Sequence, residues 1–478
     1  MQRKQSNLLS FLVIGIFQYL VTFDFSMIAI ALPSIGRTFH ASPVVLSGVV
    51  SAMDTAYAGC LIFGGRLVDL LGARRAAFLG LAIFGAGTTF SMFAPSITVL
   101  LLSRAVTGTG AALLTPCVFS LIRTLLPAGP ATHRAFGIFG LASGMAAALG
   151  QLLAGFATTH FGWQAVFFLH LPAVTFAFIL VWRLVPAAKG NPAGVWASLP
   201  SAILISLAMG LLVFSIAHTA RNGIASGALS IGCALVAFAA FYFFDSRRAA
   251  PLIPLTSFTP SVIAACFISL INCSAATGIW ILVSLYMQSV LNFSAAEAGF
   301  GMLPWALASM SASQLFAPLL ARLSIRKTMY FAMTVVCTGA VLLLASTGTG
   351  NYFTAVFGGS AIAAGGIILA QTSLIFYGTS SVPGALRGLV TGAIFSSQTL
   401  GASIGATVCL AIVGAAETGT GGSLTPGAFQ SGYLAAAIFA AVTLTISALH
   451  LSGRLLSPAI SDHAAMASKH DDAELVMH

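Results

Sequence analysis

Three charged residues stand where a charge is expensive. Asp24, Asp54 and Arg104 each lie inside a long apolar run of a chain in which only 6% of residues are charged. Burying an acid in hydrocarbon costs about 2.5–3.5 kcal/mol on insertion scales. That cost favours either a partner of opposite charge or protonation, and a carboxyl group that gains and loses a proton reversibly is a proton carrier. Asp24 is therefore a candidate proton site. A structural ion pair with Arg104, at a similar depth, is the competing reading, and the two roles can coexist. Asp54, near the middle of the second apolar run, is open to three readings: a second proton site, a contact for a cationic substrate group, or a lining residue of a wet cavity. Arg104 is the only cation deep in an apolar run, and a role organising the Asp24 region is expected of it.

The elements that must position these groups are membrane helices. Of the 478 residues, 58% are hydrophobic, whereas soluble domains carry about a quarter charged residues. Lipid must be the solvent for most of this surface. Spans of about 20 apolar residues are expected near 8–33, 45–65, 76–94, 97–121, 135–158, 163–185, 199–218, 226–244, 259–290, 296–320, 328–347, 352–379, 388–413 and 432–454. The fold class expected is all-α integral membrane, with fourteen transmembrane helices. The first run lacks a small-residue cleavage site and is followed by many more spans, so it reads as a helix of the mature chain rather than a signal peptide. The 48 glycines suit helices that pack backbone to backbone.

The basic residues test that count. With the N-terminus inside, Arg37 and Arg221 fall on the outer side and Arg104 within the membrane, while every other one of the 20 Lys and Arg falls on the inner side. Such segregation is the mark of cytoplasmic loops, so the net charge of +10 reads as a topology signal rather than as a nucleic-acid surface. Both termini are expected in the cytoplasm, in a multi-pass protein of a cell membrane, the bacterial inner membrane above all.

The expected division is a six-helix half over 1–185, a linker with two inserted helices over 186–258, a second six-helix half over 259–455 and a disordered cytoplasmic tail over 456–478. Pro186–Leu199 is the Pro/Gly-containing linker, and Glu417–Phe429 a Gly/Thr/Ser-rich external loop. A weak internal repeat supports two halves. Gly65, Leu67, Asp69 and Arg74, after the second span, have counterparts in Pro318, Leu320, Arg322 and Lys327 after the tenth. Repeated halves around a central path are the plan of secondary transporters.

Several segments carry a family resemblance. Phe23-Asp24-Phe25-Ser26-Met27-Ile28-Ala29-Ile30-Ala31-Leu32-Pro33 resembles the first-helix signature of the fourteen-span drug:proton antiporters of the major facilitator superfamily (EmrB/QacA type). Gly65-Arg66-Leu67-Val68-Asp69-Leu70-Leu71-Gly72-Ala73-Arg74-Arg75 resembles the superfamily's loop between helices 2 and 3, and Arg104-Ala105-Val106-Thr107-Gly108-Thr109-Gly110 its fourth-helix motif. Pro251-Leu252-Ile253-Pro254-Leu255, Tyr286-Met287-Gln288, Ala298-Gly299 and Leu303-Pro304 are similar to segments of the fourteen-span subgroup. The resemblance runs from about residue 10 to 455. It implies a major facilitator fold of two six-helix halves plus two inserted helices.

It also implies a cytoplasmic latch formed by Gly65, Asp69, Gly72, Arg74 and Arg75, in which the Asp69 carboxylate meets a helix N-terminus and the arginines. Leu70 and Ala73 depart from it, because basic residues are usual there. In the fifth helix these antiporters carry Gly-x-x-x-Gly-Pro-x-x-Gly-Gly. This chain has Ala146-Ala147-Ala148-Leu149-Gly150-Gln151-Leu152-Leu153-Ala154-Gly155, so Gly150 and Gly155 match. Ala146 and Ala154 stay small enough for close helix packing. Gln151 replaces the proline and places an amide in the bundle.

The function expected is proton-coupled export of a lipophilic or cationic small molecule, a drug or secondary metabolite, by alternating access. A proton-coupled symporter or lipid transporter of the same fold is the alternative, motivated by the fifth helix. Tyr57, Gln151, Asn272, Trp280, Tyr286, Gln288, Trp305 and Gln398 are the polar and aromatic groups expected along the substrate path, each equally open to a packing role. Trp163 and Trp182 read as interface anchors, and Glu297 as a helix-start residue. The nine histidines show no ligand pairing, and the seven cysteines have no metal spacing. No Ser/His/Asp constellation, metal motif or phosphate loop points to an enzyme. Neither cofactor nor metal is called for. The expected partners are a small-molecule substrate, protons and membrane lipid, with no nucleic acid, and the chain is expected to be a monomer.

Overall fold

The computed structural model describes residues 2–125, 130–185, 200–212, 214–215, 224–248, 259–348, 350–382, 387–418 and 425–450. Among these the chain is helical throughout, with no strand. In chain order the helices are α1 (Gln2–Phe39), α2 (Pro43–Leu71), α3 (Ala73–Met92), α4 (Ile97–Leu125), α5 (Pro130–Phe161), α6 (Gln164–Phe168) and α7 (His170–Leu184). Next come α8 (Pro200–Leu212) and α9 (Ile224–Ser246). The last group is α10 (Pro260–Ser289), α11 (Ala295–Gly301), α12 (Leu303–Arg322), α13 (Ile325–Ser346), α14 (Gly358–Ser380, entered through a π-helical turn at Phe353–Phe357), α15 (Arg387–Thr418) and α16 (Pro426–Leu449).

Helix starts follow local chemistry. Pro43, Pro260 and Pro426 open α2, α10 and α16, each behind a Ser or Thr. Proline suits a first turn, whose N–H has no intrahelical acceptor in any case, and the Thr259 and Thr425 hydroxyls accept the N–H groups of Val262 and Ala428. Ser294 and Glu297 close a reciprocal capping box at α11, which accords with the helix-start reading of Glu297.

Eleven helices among the described residues are long and apolar enough to cross a membrane. The expected spans at 135–158, 199–218 and 296–320 coincide with α5, α8 and α11–α12, which are not among the eleven. The eleven are counted over described residues alone, and α8 is described over Pro200–Leu212 only. Some edges move. α1 continues past Pro33 to Phe39, so Arg37 lies in its last turn rather than in a loop. α16 begins at Pro426, which shortens the expected outer loop before it. The expected linker over 186–199 and the tail from 456 lie outside the described residues.

The packing differs at the two ends of the bundle. At the end holding the α1–α2 turn, the start of α6 and the start of α11, one continuous apolar core runs across both groups of helices. It takes Met27, Ile28 and Leu32 from α1, Val49 from α2, Tyr286 and Met287 from α10 and Phe429 from α16. Ser284 of α10 donates to the Ala29 carbonyl of α1 at 3.1 Å, and the Ala296 N–H donates to Thr159 Oγ1 of α5 at 3.0 Å. At the other end each group keeps its own core. Phe17, Leu81, Phe84 and Leu121 belong to that of α1–α7, and Ile268, Met329, Leu374 and Ile394 to that of α10–α16. At mid-depth α2 meets α15 through Ala58 and Leu400. The molecule is thus sealed across its midline at one end. At the basic end, which carries Arg74, Arg75, Arg326 and Lys327, the two buried cores are separate, and of α10–α16 only Phe395 of α15 packs against that of α1–α7 among the described residues.

Candidate functional site

Close packing of α2 on α4 places the central arginine. A side chain on Gly108 would run into the backbone carbonyl of Met53, so this contact needs a residue without Cβ. One turn before Gly108, Arg104 lies almost fully buried between helices, 1% exposed. Its Nη1 donates to Asp24 Oδ2 at 2.6 Å and Oδ1 at 2.9 Å. Nε donates to the Val49 carbonyl at 3.4 Å, and Nη2 to the Met53 sulfur at 2.9 Å. The guanidinium also stands 5.9 Å from the centre of the Phe167 ring, a distance at which a cation is attracted to a π face. Asp24 is completely buried. The expected juxtaposition of Asp24 and Arg104 is thus a direct charge-assisted contact, the strong kind of hydrogen bond.

A third member was not legible in the sequence. His170 is fully buried, and its Nε2 lies 3.4 Å from Asp24 Oδ1, on the opposite oxygen from the shortest arginine contact. The sixth span is broken between α6 and α7 at Leu169, so His170 opens α7. Pro172 supplies the reason, since it has no N–H to give and its ring clashes with the preceding turn. Phe23 packs edge-on against the imidazole at 5.0 Å and Phe84 tilts over it at 5.8 Å. Neither ring nitrogen of His170 has a hydrogen-bond partner, so its contact with Asp24 is one of proximity.

Asp54, one residue beyond Met53, is 1% exposed, and neither carboxylate oxygen has a hydrogen-bond partner. It lies within electrostatic range of Arg104 and Asp24 and, across the midline, of Cys273 on α10. Cys273 in turn accepts a hydrogen bond from Gln371 Nε2 of α14 at 3.1 Å. Gln371 is a further central amide that sequence reasoning missed. Asp245, at the end of α9, is also buried.

The residues expected along a substrate path divide into two groups. Asn272, Gln151 and Gln398 are buried, and Asn272 Oδ1 and Nδ2, Gln151 Oε1 and Gln398 Nε2 have no partner. Unpartnered buried amides are costly, which makes them receptive to a ligand. Tyr57 is buried near Asp54, with its hydroxyl 3.0 Å from Thr115 Oγ1 and its ring edge-on to Phe25. The second group makes contacts within the protein. Tyr286 hydrogen-bonds the Thr347 carbonyl and packs among Phe429 and Tyr433, Gln288 donates back to Ser284, and Trp280 and Trp305 lie half-buried against the shared core. Of the two expected interface anchors, Trp182 is exposed. Trp163 is instead buried, donating to Thr38 Oγ1 at 3.2 Å against Phe39 and Phe167.

On α5, a Cβ at Gly150 would strike the Ser26 hydroxyl of α1, and one at Gly155 the Ala295 carbonyl of α11. The Gln151 carbonyl is approached just as closely by Gly299. This face of α5 therefore touches α1 and α11 backbone to backbone. At the basic end, Gly72 joins α2 to α3 with φ +81°, a conformation that side chains disfavour. The Asp69 side chain lies outside the described residues. Arg74 donates to the Trp182 carbonyl of α7 at 2.7 Å and stacks on Phe78, Arg75 is exposed, and Gly65 faces Pro116 of α4. Among the described residues no group of His, Cys, Asp and Glu has the arrangement of a metal site.

Residues 14–406 match the Major Facilitator Superfamily. The chain belongs to that superfamily. It is a multi-pass membrane transporter, not an enzyme. The cephamycin export protein CmcT of Amycolatopsis lactamdurans is 31% identical, the match covering 84% of each chain. The lincomycin resistance protein of Streptomyces lincolnensis is 29% identical, over 95% of this chain and 94% of its own. Among solved structures, the POT family transporter PepTSo shares the fold with a TM-score of 0.69 at 15% identity, covering 92% of this chain and 97% of that one.

Proposed function

We propose that this facilitator is a proton-coupled exporter of lipophilic or cationic small molecules, of the fourteen-span antiporter type, with α8 and α9 inserted between two six-helix halves. The observation that carries this reading is the buried Asp24–Arg104 contact beside Asp54, an acid with no hydrogen-bond partner. Two acids and one arginine in a low-dielectric setting cannot all keep their charges cheaply, so gain of a proton or arrival of a cation relieves the imbalance. Competition between the two is the physical basis of antiport. Relatives named for cephamycin export and lincomycin resistance support an antibiotic or drug as the cargo.

The two ends of the bundle support alternating access. On this reading the basic end is cytoplasmic, the shared core closes the outer end, and the separate buried cores at the inner end leave the two groups of helices free to part there. Rocking the halves exchanges that arrangement. In this proposal Gly65, Asp69, Gly72, Arg74 and Arg75 latch the inner end in the opposite state, and Gly150, Gln151 and Gly155 hold the outer end in this one. Tyr57, Gln151, Asn272 and Gln398 line the path. In inside-out vesicles under an imposed pH gradient, Asp24→Asn is expected to abolish uptake of a lipophilic cation such as ethidium while the protein stays folded. Gradient-driven uptake at the wild-type rate in that variant overturns the proposal.

A further inference from the structure

We propose that His170 is a proton-accepting residue of this transporter, whose protonation transfers Arg104 from Asp24 to Asp54. The inference deepens the proton-coupled reading above and rests on it. Its starting point is the shape of the centre. Asp24 is held by Arg104 Nη1 at 2.6 Å and faced from its other oxygen by His170 Nε2 at 3.4 Å, whose ring nitrogens have no hydrogen-bond partner, and all three side chains are buried. Arg104 also spends Nη2 on a thioether, the sulfur of Met53. That is a weak acceptor, adjacent in sequence to an acid with no partner at all.

With His170 neutral, Asp24 and Arg104 balance each other and Asp54 is left over. When His170 Nε2 takes a proton from water, one N–H bond forms and the imidazolium competes with Arg104 for the single carboxylate of Asp24. The new cation is then paired, and Arg104 is free to turn its guanidinium toward Asp54, which lies in its field. Loss of that proton to water reverses the exchange. The charged and titratable groups facing His170 are few. Asp24 comes from α1 and Arg104 from α4, with the Phe23 ring on α1, the Phe84 ring on α3 and the backbone of Val166 and Phe167 on α6 completing its surround. Asp54 acts on this group through Arg104.

Histidine is the side chain whose ordinary range brackets neutral pH, so small changes in its surroundings switch it. A carboxylate beside it favours the imidazolium and an arginine one contact away opposes it, so moving Arg104 away from Asp24 leaves the imidazolium with one opposing charge fewer. Asp54, relieved of its uncompensated charge by Arg104, then no longer offers an anionic site to a cationic cargo. The proton and the cargo are in this way exclusive, although they occupy different residues.

The test uses the full-length protein in nanodiscs and in liposomes. With 15N-labelled histidine, the ring nitrogens of His170, assigned by their loss in His170→Gln, are expected to titrate in the wild type, with a midpoint displaced in Asp24→Asn. A His170 signal that stays neutral across about pH 5–8 overturns the proposal and needs no variant to fold. In liposomes, ethidium transport driven by a pH gradient is expected to vary about tenfold per pH unit on one limb in the wild type and less than about twofold in His170→Gln. A merely structural histidine would lower the rate without flattening that profile. If His170→Gln keeps the wild-type profile while Asp24→Asn abolishes transport, His170 is excluded and the proton-coupled reading stands. If Asp24→Asn transports normally, that reading itself falls.

Discussion

The helices α1–α7 bury charge beside the Gln151 amide, whereas in α10–α16 neutral amides take the place of charge. In the first group Asp24, Asp54, Arg104 and His170 converge from α1, α2, α4 and α7, tied by contacts of 2.6–3.4 Å among the first, third and fourth. In the second group no Asp, Glu, Lys or Arg is buried among the described residues, and the central amides there are the buried Asn272 and Gln398 and the half-buried Gln371. Both groups share one fold and the same backbone-to-backbone helix packing, so the contrast is chemical rather than architectural. On the proposed function, α1–α7 carry the ion chemistry together with part of the cargo path, and α10–α16 add neutral hydrogen-bonding groups to that path.

The contrast can be broken most forcefully at Arg104. Arg104→Gln leaves a buried carboxylate without its partner and is expected to cost about 3–5 kcal/mol, read as a lowered unfolding midpoint in detergent. Adding Asp24→Asn to that variant should restore much of the loss. If Arg104→Gln unfolds like wild type, the pair is not a structural determinant of the first half. Asp54→Asn acts in the opposite sense. Removing an unpartnered acid should leave stability equal or raised, while weakening ethidium binding by about 1.5–3 kcal/mol, the worth of a charge-assisted contact. Equilibrium binding by fluorescence checks both signs.

In the second half the sensitive positions are contacts between backbones. A Cβ at Gly405 of α15 would overlap the Ser274 carbonyl of α10, so Gly405→Val is expected to cost about 1–3 kcal/mol by overpacking. Asn272→Leu should be the mildest, within about 1 kcal/mol of wild type in stability because no hydrogen bond is lost. It should nevertheless reduce transport of polar cargoes. A large loss of stability there would mean that the amides, like the charges, hold the fold together.

Much of this arrangement is legible in the sequence because lipid imposes a simple rule. Apolar runs become helices, and a charge inside one must find a partner, so Asp24 and Arg104 can be matched by counting depth along two runs. The edges are less legible. α1 passes through Pro33 because later residues such as Ile35 are still buried against neighbours, which no local signal reports. Trp163 looks like an interface anchor until Thr38 and Phe39 are seen to enclose it. His170 is the clearest case. Its partner lies on another helix far away in sequence, and the only local hint is Pro172, which breaks the sixth span beside it. Gln371 escapes for the same reason, since its acceptor, Cys273, is a residue type that reads as apolar.

The central claim is that the charge centre of the first half exchanges protons for cargo. The most direct measurement is proton release from purified protein in weakly buffered detergent when ethidium is added, followed with a pH-sensitive dye. The account predicts release by the wild type and its loss in Asp24→Asn protein that still binds ethidium. Equal release by wild type and Asp24→Asn would contradict it.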